Sequence, residues 1–319
     1  MTDFLLLDRL GELIRKMERP RLLYRKGVAA EGYFRPYVSW SDYTKAGILS
    51  DPEEVTPVAA RFSSMTGDRG TPDTARGIKG LAVKFSGRRE QWDLICQSLP
   101  VFFINREKKF PELRDAMTVR ESFDRIHRER FWKFVTDNPE SVNCAVRLFS
   151  WQGIRDSFVD ITWYSVNTYV WENKEGKRFL VRYKWKPILS GREKTGRKTD
   201  RIRAEFMAGF DPDRCEEELR DRMERGIFPS FELQVQIRSW SEDEEEVKRT
   251  LHWEEELYTP LPAGVMKLTK ILRPEEGGEE NMFFLPGRTA EGMGIYEDEF
   301  SRVMDYAHKA GALERGGKP

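Results

Sequence analysis

The chain has 319 residues, of which 39% are aliphatic or aromatic, and its 54 basic residues are matched by 54 acidic ones. That is enough for one large domain with a real core, and a net charge of zero gives no basis for a nucleic-acid partner or a membrane surface. The scattered Cys96, Cys144 and Cys215 argue against a disulfide framework, and His127, His252 and His308 stand outside metal-ligand spacing.

In chain order, residues 1–19 open with Leu5–Leu7, Leu10, Leu13, Ile14 and Met17 at helical spacing with charges between. This predicts a docked amphipathic helix rather than a signal or spanning segment. The loop 50–57 is polar. Strands are expected at 55–65, 78–85 and 92–104, where β-branched and aromatic residues concentrate. Two helices at 123–137 and 140–150 meet at Asn138-Pro139. The runs 160–171 and 177–185, separated by ENKEG, read as a hairpin. The basic run 191–203 reads as a surface loop. A helix over 211–226 ends at Gly226, strands follow at 231–240 and 265–272, and the acidic run 241–246 between them is solvated. The last helix spans 295–311. Strands with late helical insertions and no βαβ alternation indicate an α+β fold built on an antiparallel β-barrel, forming a single domain over 1–319. No phosphate-binding glycine loop is present.

Three stretches carry a likeness to a known family: RLLYRKGVAAEGYF (21–34), then TPVAARFSSMTGDRGTPDTARGIKGLAVKF (56–85), then WDLICQSLPVFFINREKKFP (92–111). PESVNCAVRLFSWQGIRD (139–156) continues it. Together they resemble the haem-binding core of the catalases, in order from about residue 20 to about residue 240 and again in the last helix. The resemblance implies a catalase-like barrel that binds haem b (iron protoporphyrin IX). The length is similar to that of the catalase-related allene oxide synthases and shorter than a family catalase with its long assembly arm; a homodimer is expected, with a monomer allowed.

The resemblance also implies roles for particular residues. Tyr306, in Arg302-Val303-Met304-Asp305-Tyr306, matches the tyrosine that ligates the haem iron, with Arg302 beside it one helical turn earlier. Arg21 and Arg61 match partners of the haem propionates. Phe110 matches the phenylalanine stacked on the macrocycle, and Phe102 and Phe103 its apolar neighbours. Ser63 matches the serine that orients the distal base, and Gln97 stands for the family's distal asparagine as a longer amide donor.

Departures from the family pattern shape the functional expectation. Tyr24 stands where the catalytic histidine is expected, and a phenol ionising near pH ~10 is a poor base at neutrality. Asn167 replaces a histidine that contacts the proximal arginine. His308 lies two residues past Tyr306, on a different helix face, and Arg315 is a candidate replacement propionate partner. These changes predict a haem-dependent oxidoreductase acting on an organic hydroperoxide or a small metabolite rather than an efficient dismutase of hydrogen peroxide. A catalase or peroxidase with a remodelled distal site, a non-catalytic haem carrier or sensor, and a haem-free binding barrel are the other readings. A cytoplasmic protein with a peroxide or organic small-molecule substrate is expected.

Overall fold

The computed structural model describes residues 4–16, 21–66, 70–117, 128–189, 199–273 and 282–317. His127 and the basic residues 191–198 lie outside them. The strands are β1 (Gly27–Pro36), β2 (Thr56–Ser64), β3 (Lys79–Ser86), β4 (Gln91–Gln97), β5 (Trp163–Tyr164), β6 (Tyr169–Glu172), β7 (Arg178–Pro187), β8 (Ser230–Ser239), β9 (Leu261–Ile271) and β10 (Met293–Ile295). The helices are α1 (Phe4–Arg15), α2 (Phe110–Met117), α3 (Arg128–Asp137), α4 (Val142–Phe149), α5 (Arg201–Phe210), α6 (Arg214–Glu224), α7 (Glu244–Val247) and α8 (Glu299–Glu314).

Eight strands follow one another as β7-β5-β4-β3-β2-β1-β9-β8, and the antiparallel pairing of β8 with β7 closes them into a barrel. Closure removes the exposed edges that an open sheet of this size would carry. β6 and β10 extend the sheet from β7 as a side wing. The expected hairpin is β6–β7, turning at Gly176, whose φ of 79° is open to glycine without a steric penalty.

The strand period of two sorts the wall residues. Phe62, Leu81, Phe85, Leu94 and Cys96 point into the barrel, where they pack with Trp92, Trp163, Trp185 and Phe231. Phe85 stacks on Trp92 with ring centroids 4.4 Å apart. The alternate residues Arg61, Ser63, Gly80, Ala82, Ile95 and Gln97 therefore point outward. This outer face lies under a second cluster formed by Leu99–Ile104, α2, α3, α4 and Phe300.

Three sequence expectations are corrected. The strand read over 92–104 stops at Gln97, because Pro100 offers no ladder donor; Leu99 and Val101–Ile104 form a buried connection instead. The strand read over 160–171 splits into β5 and β6 at Ser165-Val166-Asn167, where Val166 has a φ of 40°. Within the basic run read as loop, Arg201–Arg203 begin α5, capped by Asp200, whose carboxylate accepts from the Arg203 amide at 2.8 Å. The acidic run 241–246 stays largely exposed as expected, while its last residues open the short helix α7 and Glu246 pairs with Arg238 at 2.6 Å.

Candidate functional site

A cavity of about 210 Å³ lies between the outer face of β2–β4 and a cover made from α1, α8, the start of α2 and residues 21–24. Ser63, Gly80 and Gln97 stand in one register row across β2, β3 and β4, and Arg61, Ala82 and Ile95 form the next row. Opposite them, α1 presents Leu10 and Ile14. From α8 come Val303, Met304, Ala307, His308, Gly311 and Arg315, whose spacing of three and four marks one helix face.

The Tyr24 side is closed by backbone. Tyr24 has a φ of 58°, a region costly for a bulky residue, and its surroundings hold it there. Its amide donates to the Met65 carbonyl at 3.1 Å, and the Arg61 guanidinium donates to its carbonyl at 2.9 Å. Its ring lies on Gly80: a Cβ there would stand 2.6 Å from a ring carbon. Burial pushes the Tyr24 phenol well above its ordinary pKa, with the Cys144 thiol reinforcing it. The side-chain nitrogen of Gln97 donates to the carbonyls of Leu99 at 3.1 Å and Val101 at 2.8 Å. Both amide hydrogens are therefore committed, and the expectation that Gln97 donates into the cavity is corrected. Ser63 Oγ donates to the Gly80 carbonyl at 3.5 Å, a long bond, beside the Tyr24 ring.

The α8 side is arranged differently. Asp298 caps α8 and forms a capping box with Ser301. The buried Arg249 donates to both Asp298 carboxylate oxygens, at 2.5 and 3.0 Å, and to the Asn167 side-chain oxygen Oδ1 at 2.7 Å. Burial alone would raise the Asp298 carboxyl, but Arg249 and the Ser301 contacts bring it below its ordinary value. This clamp fixes which face of α8 meets the cavity.

That face is not the one expected. Tyr306 does not line the cavity; its hydroxyl lies against α1, where a Cβ on Gly11 would stand 3.0 Å away. Arg302 is exposed and pairs with Glu299 at 3.1 Å. Two residues along a helix turn the side chain by about 200°, so the same register that removes Tyr306 brings in His308. Its Nδ1 lies 2.8 Å from the Phe284 carbonyl, which can only accept, so Nδ1 carries the proton. Nε2 makes no hydrogen bond to a described residue. His308 keeps some accessible surface, but that surface faces the cavity. Burial, with Arg21 and Arg315 nearby, pushes its pKa down to about 4, so the ring is neutral. The Phe284 carbonyl is held in turn by its neighbour: the Leu285 amide donates to the buried Asp93 carboxylate at 2.8 Å.

Of the other expected residues, Arg21, Arg61, Phe102 and Phe110 line the cavity, as does Arg315. Phe103 does not: it is fully buried against Phe131, with centroids 5.8 Å apart. Sequence reasoning missed Glu107, the one carboxylate among the described lining residues; nothing in the local pattern distinguishes it from a surface acid. The α8 face was open to detection through the spacing of Met304, His308, Gly311 and Arg315. No described cluster of His, Cys, Asp or Glu is arranged to hold a bare metal ion, and no described helix is long and apolar enough to cross a membrane.

The fold and site thus define a closed antiparallel barrel with an apolar pocket on its outer wall, lined by four arginines and one neutral imidazole. The catalase family model matches residues 1–317, and the chain belongs to the catalase family. A catalase of Alkalihalophilus pseudofirmus is 31% identical over 329 aligned residues, covering all of this chain and 48% of that protein. Catalase-2 of Bacillus subtilis is 29% identical, with 100% of this chain and 47% of that protein covered. A solved bacterial catalase superposes with a TM-score of 0.85 at 27% identity, over 99% of this chain and 61% of that one. The chain spans about half the length of these first two relatives.

Proposed function

We propose that the chain is a haem b-dependent oxidoreductase that converts an organic hydroperoxide, or oxidises a small organic metabolite, in preference to dismuting hydrogen peroxide. The cavity suits iron protoporphyrin by its chemistry. Its lining is mostly aliphatic and aromatic, as a macrocycle requires, and Arg21, Arg61 and Arg315 bring cations for two carboxylates. Phe110, at the start of α2, offers a ring to stack. When bound, haem iron supplies the electrons for cleaving a peroxide O–O bond.

The observation that carries the reading is the absence of a proton shuttle among the described groups around Tyr24. A dismutase needs a group that takes a proton from one oxygen and returns it to the other near neutral pH. Tyr24 is held protonated by burial, so it is a hydrogen-bond donor and not a base. Gln97 has spent its donors on Leu99 and Val101. An organic hydroperoxide asks less of these groups, and its carbon chain fits an apolar lining. Tyr24 then donates to a peroxide oxygen and orients it.

The test is a pair of assays on haem-reconstituted protein: oxygen evolution from hydrogen peroxide, and consumption of a fatty-acid or aryl hydroperoxide. The expected outcome is hydroperoxide turnover with little oxygen. Tyr24→His should raise oxygen evolution by about 10²-fold, the usual scale for regaining a general acid–base group. Rapid oxygen evolution by the unmodified protein, unchanged in Tyr24→His, overturns the proposal.

A further inference from the structure

We infer that His308, through Nε2, is the iron ligand of this chain, and that Tyr306 is not. The inference rests on the haem reading above and concerns a position at which this chain departs from the tyrosinate ligand implied by the resemblance.

Three observations lead to it. The first is the register of α8. Asp298 caps the helix and is bound through both oxygens by Arg249, so the rotation of α8 against the barrel is fixed at its first turn. With that rotation, Met304, His308, Gly311 and Arg315 meet the cavity, and Tyr306 meets Gly11 of α1. Bringing Tyr306 in would require turning the helix by about 200°, which breaks the Arg249 clamp and takes His308 and Arg315 out.

The second is the hydrogen bonding of the ring. A histidine that ligates a metal through Nε2 needs a lone pair there, and a partner for Nδ1–H fixes both tautomer and orientation. His308 meets both conditions before any metal is considered. Nδ1–H donates to the Phe284 carbonyl at 2.8 Å, and Nε2 has no hydrogen-bond partner among the described residues. The third is the support behind the carbonyl. Phe284 is buried; the adjacent Leu285 amide is tied to Asp93, which is itself paired with Lys84 at 3.1 Å. The acceptor that aims the imidazole is thus built into the barrel wall at β4.

The chemical consequence concerns redox balance. A tyrosinate carries a negative charge that favours ferric iron; a neutral imidazole does not, and it is the proximal ligand type of globins and peroxidases. The chain therefore carries a phenol on one side of the pocket and an imidazole on the other, and its ferrous form is the more accessible for it.

The experiment is spectroscopic. Protein is produced with haem precursor, with and without ¹⁵N-histidine, as the natural sequence and as His308→Gly, His308→Tyr and Tyr306→Phe. Resonance Raman of the ferrous form should show an iron–imidazole stretch that shifts with the isotope. Tyr306→Phe should leave the spectrum unchanged. His308→Gly should lower haem retention by at least about tenfold, since even outer-shell partners of a ligand are worth 10–100-fold, and added imidazole should restore the natural band. His308→Tyr should gain a phenolate-to-iron charge-transfer band and a lower midpoint potential. A phenolate signature in the natural protein that Tyr306→Phe removes overturns the inference while leaving the haem reading intact. Failure of the natural protein to take up haem overturns both. The isotope measurement on the natural sequence decides the matter even if a variant does not fold.

Discussion

The two walls of the cavity use polar side chains in opposite ways. On the Tyr24 wall the Gln97 donors end on the Leu99 and Val101 carbonyls and the Ser63 hydroxyl on the Gly80 carbonyl. On the α8 wall the polar contacts end on the helix itself: Arg249, Asn167 and Asp298 hold α8 in register, and His308 keeps one nitrogen facing the cavity. The first wall satisfies its own backbone; the second positions a ligand atom. Residue type alone does not separate these uses, because an amide or a hydroxyl is available to a ligand only when the surrounding carbonyls have other partners.

If the clamp sets the α8 wall, removing it has the largest effect on stability. Arg249→Met leaves Asp298 a partly buried carboxylate without its cation, and should cost about 3–5 kcal/mol in urea denaturation. A loss below about 1 kcal/mol would show that α8 docks by its apolar contacts alone.

The neutral His308 gives the α8 wall a pH dependence that the Tyr24 wall lacks. The ring's ordinary pKa is 6.5 and its folded value is about 4. Below 6.5 the unfolded chain takes up a proton that the folded chain refuses. Stability is therefore full above 6.5, declines as the pH falls toward 4 and levels off below that. Over that window the loss should be on the order of 2–3 kcal/mol in cofactor-free protein. His308→Gln should flatten this limb of the profile, as read by thermal melts from pH 7 to pH 4; an unchanged slope would place the acid sensitivity elsewhere.

The Tyr24 wall should respond to shape instead. Gly80→Ala puts a methyl 2.6 Å from a Tyr24 ring carbon, and overpacking of this kind costs about 1–3 kcal/mol. In a Tyr24→Gly background, where the ring is gone and the φ of 58° suits glycine, the added methyl should be nearly neutral. A double-mutant cycle measures the coupling; independent, additive effects would mean the ring does not rest on Gly80. The smallest change is expected for Tyr306→Phe. Its hydroxyl makes no hydrogen bond to a described residue, so stability should stay within about 0.5 kcal/mol.

The barrel was legible because its signal is local and repeated. Alternation in β2, β3 and β7 depends only on neighbours two residues apart, and the family motif fell on those strands. Arg21, Arg61, Phe102 and Phe110 line the cavity, whereas Phe103, one residue from Phe102, is turned into the core. Adjacent residues in an extended segment face opposite ways, so half of a motif always points elsewhere. The strand read over 160–171 failed at Val166, whose positive φ no local preference announces.

The sequence by itself determined the α+β barrel and the family, since each rests on residue identity or short-range pattern. The tertiary structure alone decided which face of α8 looks inward. Arg302 and Tyr306 satisfy a spacing rule that any helix allows, but a helix has no preferred rotation until it packs. Here that rotation is set by Arg249, 49 residues before Asp298 in the chain. The same long-range packing took the donors of Gln97 and left Nε2 of His308 open, because hydrogen-bond partners are assigned by proximity in the folded chain, and sequence distance carries no record of it.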